Sequence, residues 1–127
     1  MLKDARVAAV LGVSDMDRAK KFYGETLGLT QKDSPDPGGM MFECGGGTGI
    51  FVYKTDFAGT NKATAAGFGV SDVEAEVAEL RAKGVTIEEY DMGPDMKTVN
   101  GIITLPSGDK AAWFKDPDGN ILSINSM

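Results

Sequence analysis

The side chain that would do most chemistry in this chain is absent: none of its 127 residues is a histidine. That removes the commonest nitrogen ligand for zinc, nickel, iron or manganese and the usual general base near neutral pH. What remains is sparse. A carboxylate-only magnesium or calcium site would have to draw on Glu43, the one acidic residue inside the strand pair of the first half, or on Asp116 and Asp118. These two stand in Asp116-Pro117-Asp118-Gly119, and Pro at the second position with Gly at the fourth is what a type I turn prefers. Cys44 is the only thiol and has no histidine or helix N-terminus beside it to activate it, so it reads as an inert, semi-buried side chain. Gly45-Gly46-Gly47-Thr48-Gly49 lacks the Gly-Lys-Ser/Thr ending of a phosphate loop and opens a strand, so it reads as a hairpin connection. No catalytic residue, metal ligand or cofactor site is assigned from these residues.

The elements that would position these groups are written twice. Gly12-Val13-Ser14-Asp15 returns 57 residues later as Gly69-Val70-Ser71-Asp72. Each copy follows an apolar run and precedes a helical pattern that closes at a glycine. In the first, Val7 to Val13 reads as a strand buried on both faces. Ser14 or Asp15 caps a helix whose stripe is Met16, Ala19, Phe22 or Tyr23, and Leu27, ending at Gly28. The spacing makes Phe22 and Tyr23 core packing rather than a stacking pair for a ligand. In the second copy Ala66, Phe68 and Val70 form the strand, and Ser71 with Glu74 forms a capping box. Val73, Val77 and Leu80 make the stripe, and Gly84 ends the helix. Further strands are expected at 40–44 and 49–54, then at 86–90, 102–105, 110–115 and 120–125. Both halves read β-α-β-β-β, with module one at about 4–58 and module two at about 63–127.

Length and composition agree. A chain of 127 residues, 42% hydrophobic and 25% charged, is one soluble domain's worth, whereas a half of roughly 60 residues would be marginal alone. No apolar run approaches the roughly 20 residues of a membrane span, and Met1-Leu2-Lys3-Asp4 is not a signal peptide. One cysteine cannot form an internal disulfide, which suits a reducing cytoplasm. A net charge of −6 without a Lys/Arg cluster argues against nucleic acid as a partner, and a cationic ligand is compatible with it.

Residues 10 to 29, with Asp15, Phe22-Tyr23 and Leu27-Gly28-Leu29, resemble the opening of the vicinal oxygen chelate superfamily, also called the glyoxalase/bleomycin resistance/dioxygenase superfamily. Trp113-Phe114-Lys115-Asp116-Pro117-Asp118-Gly119-Asn120 resembles its close. The resemblance implies an α+β fold in which two tandem βαβββ modules form a curved mixed sheet around a cavity, and a homodimer. It spans isomerases, lyases, dioxygenases and metal-free drug-binding proteins, so function does not follow from it. Catalytic members resembling glyoxalase carry His, Gln or Glu on the cavity face, holding a divalent ion. The position seven residues before the helix-opening aspartate is Ala8, and its counterpart before Asp72 is Ala65. The carboxylate position on the last strand falls on Ser123, and the remaining one falls around Tyr53. Methyl groups give no electron pair to a metal, so the resemblance implies a member without the usual ligands.

If Ala8 and Ala65 mark the cavity face, alternation adds Val10, Gly67, Ile121 and Ser123 to it. Alternation also places Phe51 and Tyr53 on one face of their strand, and Ala111 and Trp113 opposite Ala112 and Phe114. The segment 90–98 carries Met92 and Met96, which suit either an adaptable cover over an apolar ligand or a surface loop whose methionines plug a core gap. The preferred expectation is a metal-free protein that holds an aromatic or cationic small molecule in an apolar cleft. Trp113, Phe51, Tyr53, Met92 and Met96 would contact it, and Glu43 or Asp91 would meet a cationic group. The alternative is a lyase or isomerase with an atypical site, drawing its base from Glu43, Asp91, Tyr53 or Cys44. A degenerate member that binds nothing is the third reading.

Overall fold

The computed structural model describes residues 1–32 and 37–127, which divide into two compact units, Met1–Thr60 and Asn61–Met127. In the first unit, strand β1 (Ala9–Val13) leads into helix α1 (Met16–Lys20), which continues as a wider π turn over Lys21–Thr26. Strands β2 (Thr30–Lys32), β3 (Gly39–Glu43) and β4 (Gly49–Lys54) follow. The second unit has β5 (Thr64–Val70), α2 (Val73–Ala82), β6 (Ile102–Thr104), β7 (Lys110–Lys115) and β8 (Ile121–Ser126). Each unit is a four-stranded mixed sheet, in the order β1-β4-β3-β2 and β5-β8-β7-β6. In both, the strand before the helix pairs in parallel with the last strand, and the other pairs are antiparallel.

Both helices start on an aspartate. Asp15 Oδ1 accepts from Arg18 N at 3.1 Å and Asp72 Oδ1 accepts from Ala75 N at 3.0 Å, each satisfying one free amide of the first turn. The capping box expected at Ser71 and Glu74 is therefore not formed. Glu74 pairs instead with Lys110 on β7, and the cap falls to Asp72, one residue nearer the helix.

One face of each sheet carries the core. In the first unit Leu11, Val13, Phe42, Ile50 and Val52 pack with Ala19 and Tyr23 of the helical segment. Tyr23 and Phe42 are fully buried, with ring centroids 5.7 Å apart, and Phe22 meets Tyr23 edge-on at 5.1 Å. In the second, Val73, Val77 and Leu80 of α2 close over the face that bears Ala112, Phe114, Leu122 and Ile124. The expectation that the first strand is buried on both faces is corrected: Leu11 and Val13 are 2% and 1% exposed, but Val10, between them, is 60% exposed. The helix covers one side of the sheet only.

Two strand assignments also change. Thr86–Tyr90 is not a strand. Ile87 makes a single bridge to Phe114 and Glu88 N donates to Trp113 O at 2.8 Å, so the segment runs along the part of β7 that short β6 leaves free. Strand β2 was not anticipated, because Thr30-Gln31-Lys32 is wholly polar and exposed and has no apolar alternation to reveal it. The Gly45–Gly49 segment is the hairpin connection expected, closed by Cys44 N donating to Thr48 O at 2.8 Å.

The Asp116 to Asn120 turn is a structural device. Asp116 is 5% exposed, and its Oδ1 accepts from Asp118 N at 3.0 Å and Asn120 N at 2.8 Å. Its Oδ2 accepts from Asn120 Nδ2 at 2.8 Å, and Gly119 takes the positive φ of 91° that the reversal needs. Three internal donors on one carboxylate orient β7 against β8.

The two sheet faces should differ sharply in energetic weight. Phe42→Ala, on the helix face, is expected to cost about 3–5 kcal/mol in urea unfolding, and Val10→Ala, on the other, under about 1 kcal/mol. Comparable losses would show that the second face is a core as well.

Candidate functional site

The sheet face turned away from the helix is distinctive in each unit. In the first, pairing sets Val10, Phe51, Met41 and Lys32 side by side across β1, β4, β3 and β2. The next row is Gly12, Tyr53 and Gly39, and the row on the other side brings Glu43 against Thr30 and Gly49. The glycines make this surface. The Phe51 ring lies over Gly39 so closely that a Cβ there would sit 2.5 Å from Phe51 Cζ. A Cβ at Gly49 would meet Phe42 O at 2.9 Å and Met41 Sδ at 3.0 Å.

A cleft of about 460 Å³ opens at the Glu43 end of this face. Val7, Ala8 and Met41 supply apolar walls, Gly47, Thr48 and Gly49 one rim, and Arg6, Lys32 and Glu43 the charges. Lys32 Nζ lies 2.8 Å from Glu43 Oε2. The Arg6 guanidinium donates to Gly47 O, an approach helped by the missing side chain at 47, where a Cβ would stand 3.1 Å from Arg6 Nη2. The hydrogen bond from Lys32, its charge and the charge of Arg6 together hold the Glu43 carboxyl below the usual carboxylate range. The pair is solvent-exposed, so its small contribution to stability is screened; it is present above the ordinary carboxylate pKa and fades as acid protonates Glu43. Burial pushes the neighbouring Cys44 thiol up, which leaves less thiolate at neutral pH.

The second unit's open face is aromatic. Gly67, Ser123 and Trp113 form one row across β5, β8 and β7, with Gly69, Asn125 and Ala111 the next. A Cβ at Gly67 would lie 2.8 Å from Ser123 Oγ, so glycine keeps the row flat. Trp113 Nε1 donates to Thr64 Oγ1 at 3.2 Å, and Tyr90 meets the indole edge-on with centroids 5.6 Å apart. The Trp113 orientation is thus held from two sides. Tyr90 also roots a small hairpin: its N donates to Thr98 Oγ1 at 2.8 Å, Thr98 N donates back to Tyr90 O at 2.9 Å, and Thr98 Oγ1 donates to Glu89 Oε2 at 2.8 Å. At the tip Met92 N donates to Met96 O and Asp91 Oδ1 accepts from Gly93 N. Met92 is 77% and Met96 48% exposed, so neither plugs a core gap.

Each residue expected at the site can now be placed. Val10, Phe51 and Tyr53 share the open face of the first sheet, with Ala8 just ahead of it in the cleft. Gly67, Ser123 and Trp113 share that of the second. Ile121 also lies on that side, while Ala65 sits where the β5 register slips between Thr64 and Ala66, so it has no paired partner on β8. Glu43 stands against Lys32, and Asp91 is tied into the methionine hairpin, where its backbone forms a β-bridge with that of Lys97. Arg6 and Lys32 were not anticipated. Counting back by twos from Ala8 reaches Arg6, but Lys32 becomes visible only through cross-strand pairing.

The donor set does not fit a divalent ion. The positions that the resemblance equates with ligands hold Ala8, Ala65, Ser123 and, for the remaining one, fall around Tyr53, and among the described residues no cluster of three or more His, Cys, Asp or Glu could hold a metal.

Comparison with known proteins places this geometry. No curated protein matches the chain by sequence. Several solved structures share the fold over nearly its whole length. A member of the glyoxalase/bleomycin resistance protein/dioxygenase superfamily from Sphaerobacter thermophilus is 25% identical with a TM-score of 0.71, covering 99% of this chain and 100% of its own. TnmS3, an antibiotic binding protein from a Streptomyces species, is 23% identical at a TM-score of 0.64, with 97% of each chain covered. Lactoylglutathione lyase from Agrobacterium tumefaciens is 18% identical at 0.68, covering 97% of this chain and 93% of that one. No helix among the described residues is long and apolar enough to cross a membrane. The sequence model of the Glyoxalase/Bleomycin resistance protein/Dioxygenase superfamily matches residues 6–124, and with two βαβββ sheets of matching topology beneath that match, the chain belongs to this superfamily.

Proposed function

We propose that the protein binds an apolar, aromatic small molecule on the open faces of its sheets, without a metal, and acts as a homodimer. The observation that carries this reading is the presentation of aromatic rings on sheet faces that no helix of their own unit covers. Trp113, steadied by Thr64 and Tyr90, stands in the row of Gly67 with Ser123 between them, and Phe51 lies over Gly39, while Ala8 and Ala65 occupy positions where a metalloenzyme of this family would need donor atoms. Flat glycine floors flanked by aromatic rings suit stacking and dispersion. The exposed Met92 and Met96 of the hairpin rooted on Tyr90 add adaptable contacts. The same fold serves in TnmS3, described as an antibiotic binding protein.

The enzyme reading is weaker on chemical grounds. Glu43 is held ionised by Lys32 and Arg6 and so is a poorer base than an ordinary carboxylate, and the Cys44 thiol is pushed away from the reactive thiolate.

Trp113 is the only tryptophan, so its fluorescence reports on its surroundings. With chelator present, planar aromatic probes are expected to quench or shift it, and Trp113→Ala to weaken the same probes about threefold to tenfold by calorimetry, the range set by aromatic stacking. A broad probe set that leaves the emission unchanged would sink the reading. Calorimetric titration with nickel, zinc, manganese and ferrous ion is expected to show no tight stoichiometric uptake. Tight uptake that switches on turnover of a hemithioacetal or a catechol would place the protein among the enzymes instead.

A further inference from the structure

Building on the binding function proposed above, we infer that the cleft of the first unit selects aromatic ligands that carry an anionic group, a carboxylate in particular, and rejects cationic ones. The net charge of the chain, −6, points the other way, so the local arrangement decides. Among the described residues, three ionised side chains line the cleft: Arg6, Lys32 and Glu43. Of these three, Glu43 is the one that would attract a cation, and its carboxylate is already met by the Lys32 ammonium at 2.8 Å and lies in the field of Arg6. Two cations against one carboxylate give these three side chains a summed charge of about +1 at neutral pH.

The donors are also suited to the task. Guanidinium carries five N–H groups in a planar fork matched to a carboxylate, and Arg6 is held at the rim by its bond to Gly47 O, a placement that a side chain at 47 would crowd. An ammonium has three N–H donors, so Lys32 can keep Glu43 and still meet a second anion. Beside them, Val7, Ala8 and Met41 offer an apolar wall, and Phe51 continues the Met41 row along the sheet. A ligand with a flat apolar body and an anionic end satisfies both parts, whereas an ammonium would face two like charges and find its one counter-ion occupied.

Three probes of one shape separate the possibilities: 2-naphthoate, 2-naphthamide and 2-naphthylmethylammonium, titrated into the full chain by calorimetry at low salt. Naphthoate is expected to bind at least tenfold more tightly than the ammonium probe, with the neutral amide between them. Arg6→Gln and Lys32→Gln should each lower naphthoate affinity by threefold or more and leave the amide unchanged, and Glu43→Gln should raise naphthoate affinity. These three side chains are exposed, and unchanged circular dichroism and melting would establish that each variant is folded. Binding of the ammonium probe as tightly as naphthoate, or naphthoate binding indifferent to both Arg6→Gln and Lys32→Gln, would overturn the inference. If the amide still binds in that case, the apolar binding function stands without the charge selectivity. Failure of all three probes to bind would remove both.

Discussion

One helix can cover only one face of a four-stranded sheet, and the rest of the structure follows from that. In each unit the helix takes its apolar stripe, Ala19 and Tyr23 or Val73, Val77 and Leu80, to the same side of the sheet, and the fully buried side chains collect there. The other face has no helix of its own unit to bury against. A sheet face left in that position is expected to be polar or to serve a partner or ligand. Here it mixes aromatic, small and polar side chains. It sets the Phe51 ring over Gly39, and Trp113 in one row with Ser123 and Gly67.

The same division sorts the polar residues by role. On the helix side and in the turns they are used up in structure: Asp15 and Asp72 cap helices, Asp116 ties the β7–β8 turn through three donors, and Glu74 joins α2 to β7 through Lys110. On the open side they remain at the rim. Glu43, Lys32 and Arg6 form a small charged group at one end of an apolar floor, and Thr64 sets the angle of the indole. Specificity in apolar clefts commonly rests on a few such polar groups, and the sign of their summed charge is then a property of the cleft rather than of the chain.

Much of this was legible in the residues. The Gly-Val-Ser-Asp repeat located both strand-to-helix junctions, because a strand must hand over to a capped helix there and aspartate and serine are the residues that cap. Alternation correctly separated Trp113 from Phe114 and Phe51 from Val52, since a strand's period is fixed by its pleat. What escaped was set by tertiary pairing. Nothing in Ser71-Asp72-Val73-Glu74 tells that Lys110 will draw Glu74 away, and nothing in Thr30-Gln31-Lys32 tells that β3 will pair with it. The register slip at Ala65 is likewise a property of β5 against β8. The count that reached Ala8 led to a residue that lines the first unit's cleft, but the charges that surround it came only from the folded sheet.

The most direct test of the account is a proton–nitrogen NMR map of the protein titrated with an aromatic carboxylate in excess chelator. Glycine amides are well separated in such spectra, and Gly39, Gly49, Gly67 and Gly69 all lie on the open faces. The expected result is shifts concentrated at Gly39 and Gly49, on the open face that carries the cleft, with the amides of Ala19, Val77 and Leu80 unmoved. Shifts confined to the helices, or shifts that emerge only after a divalent metal is added, would contradict it.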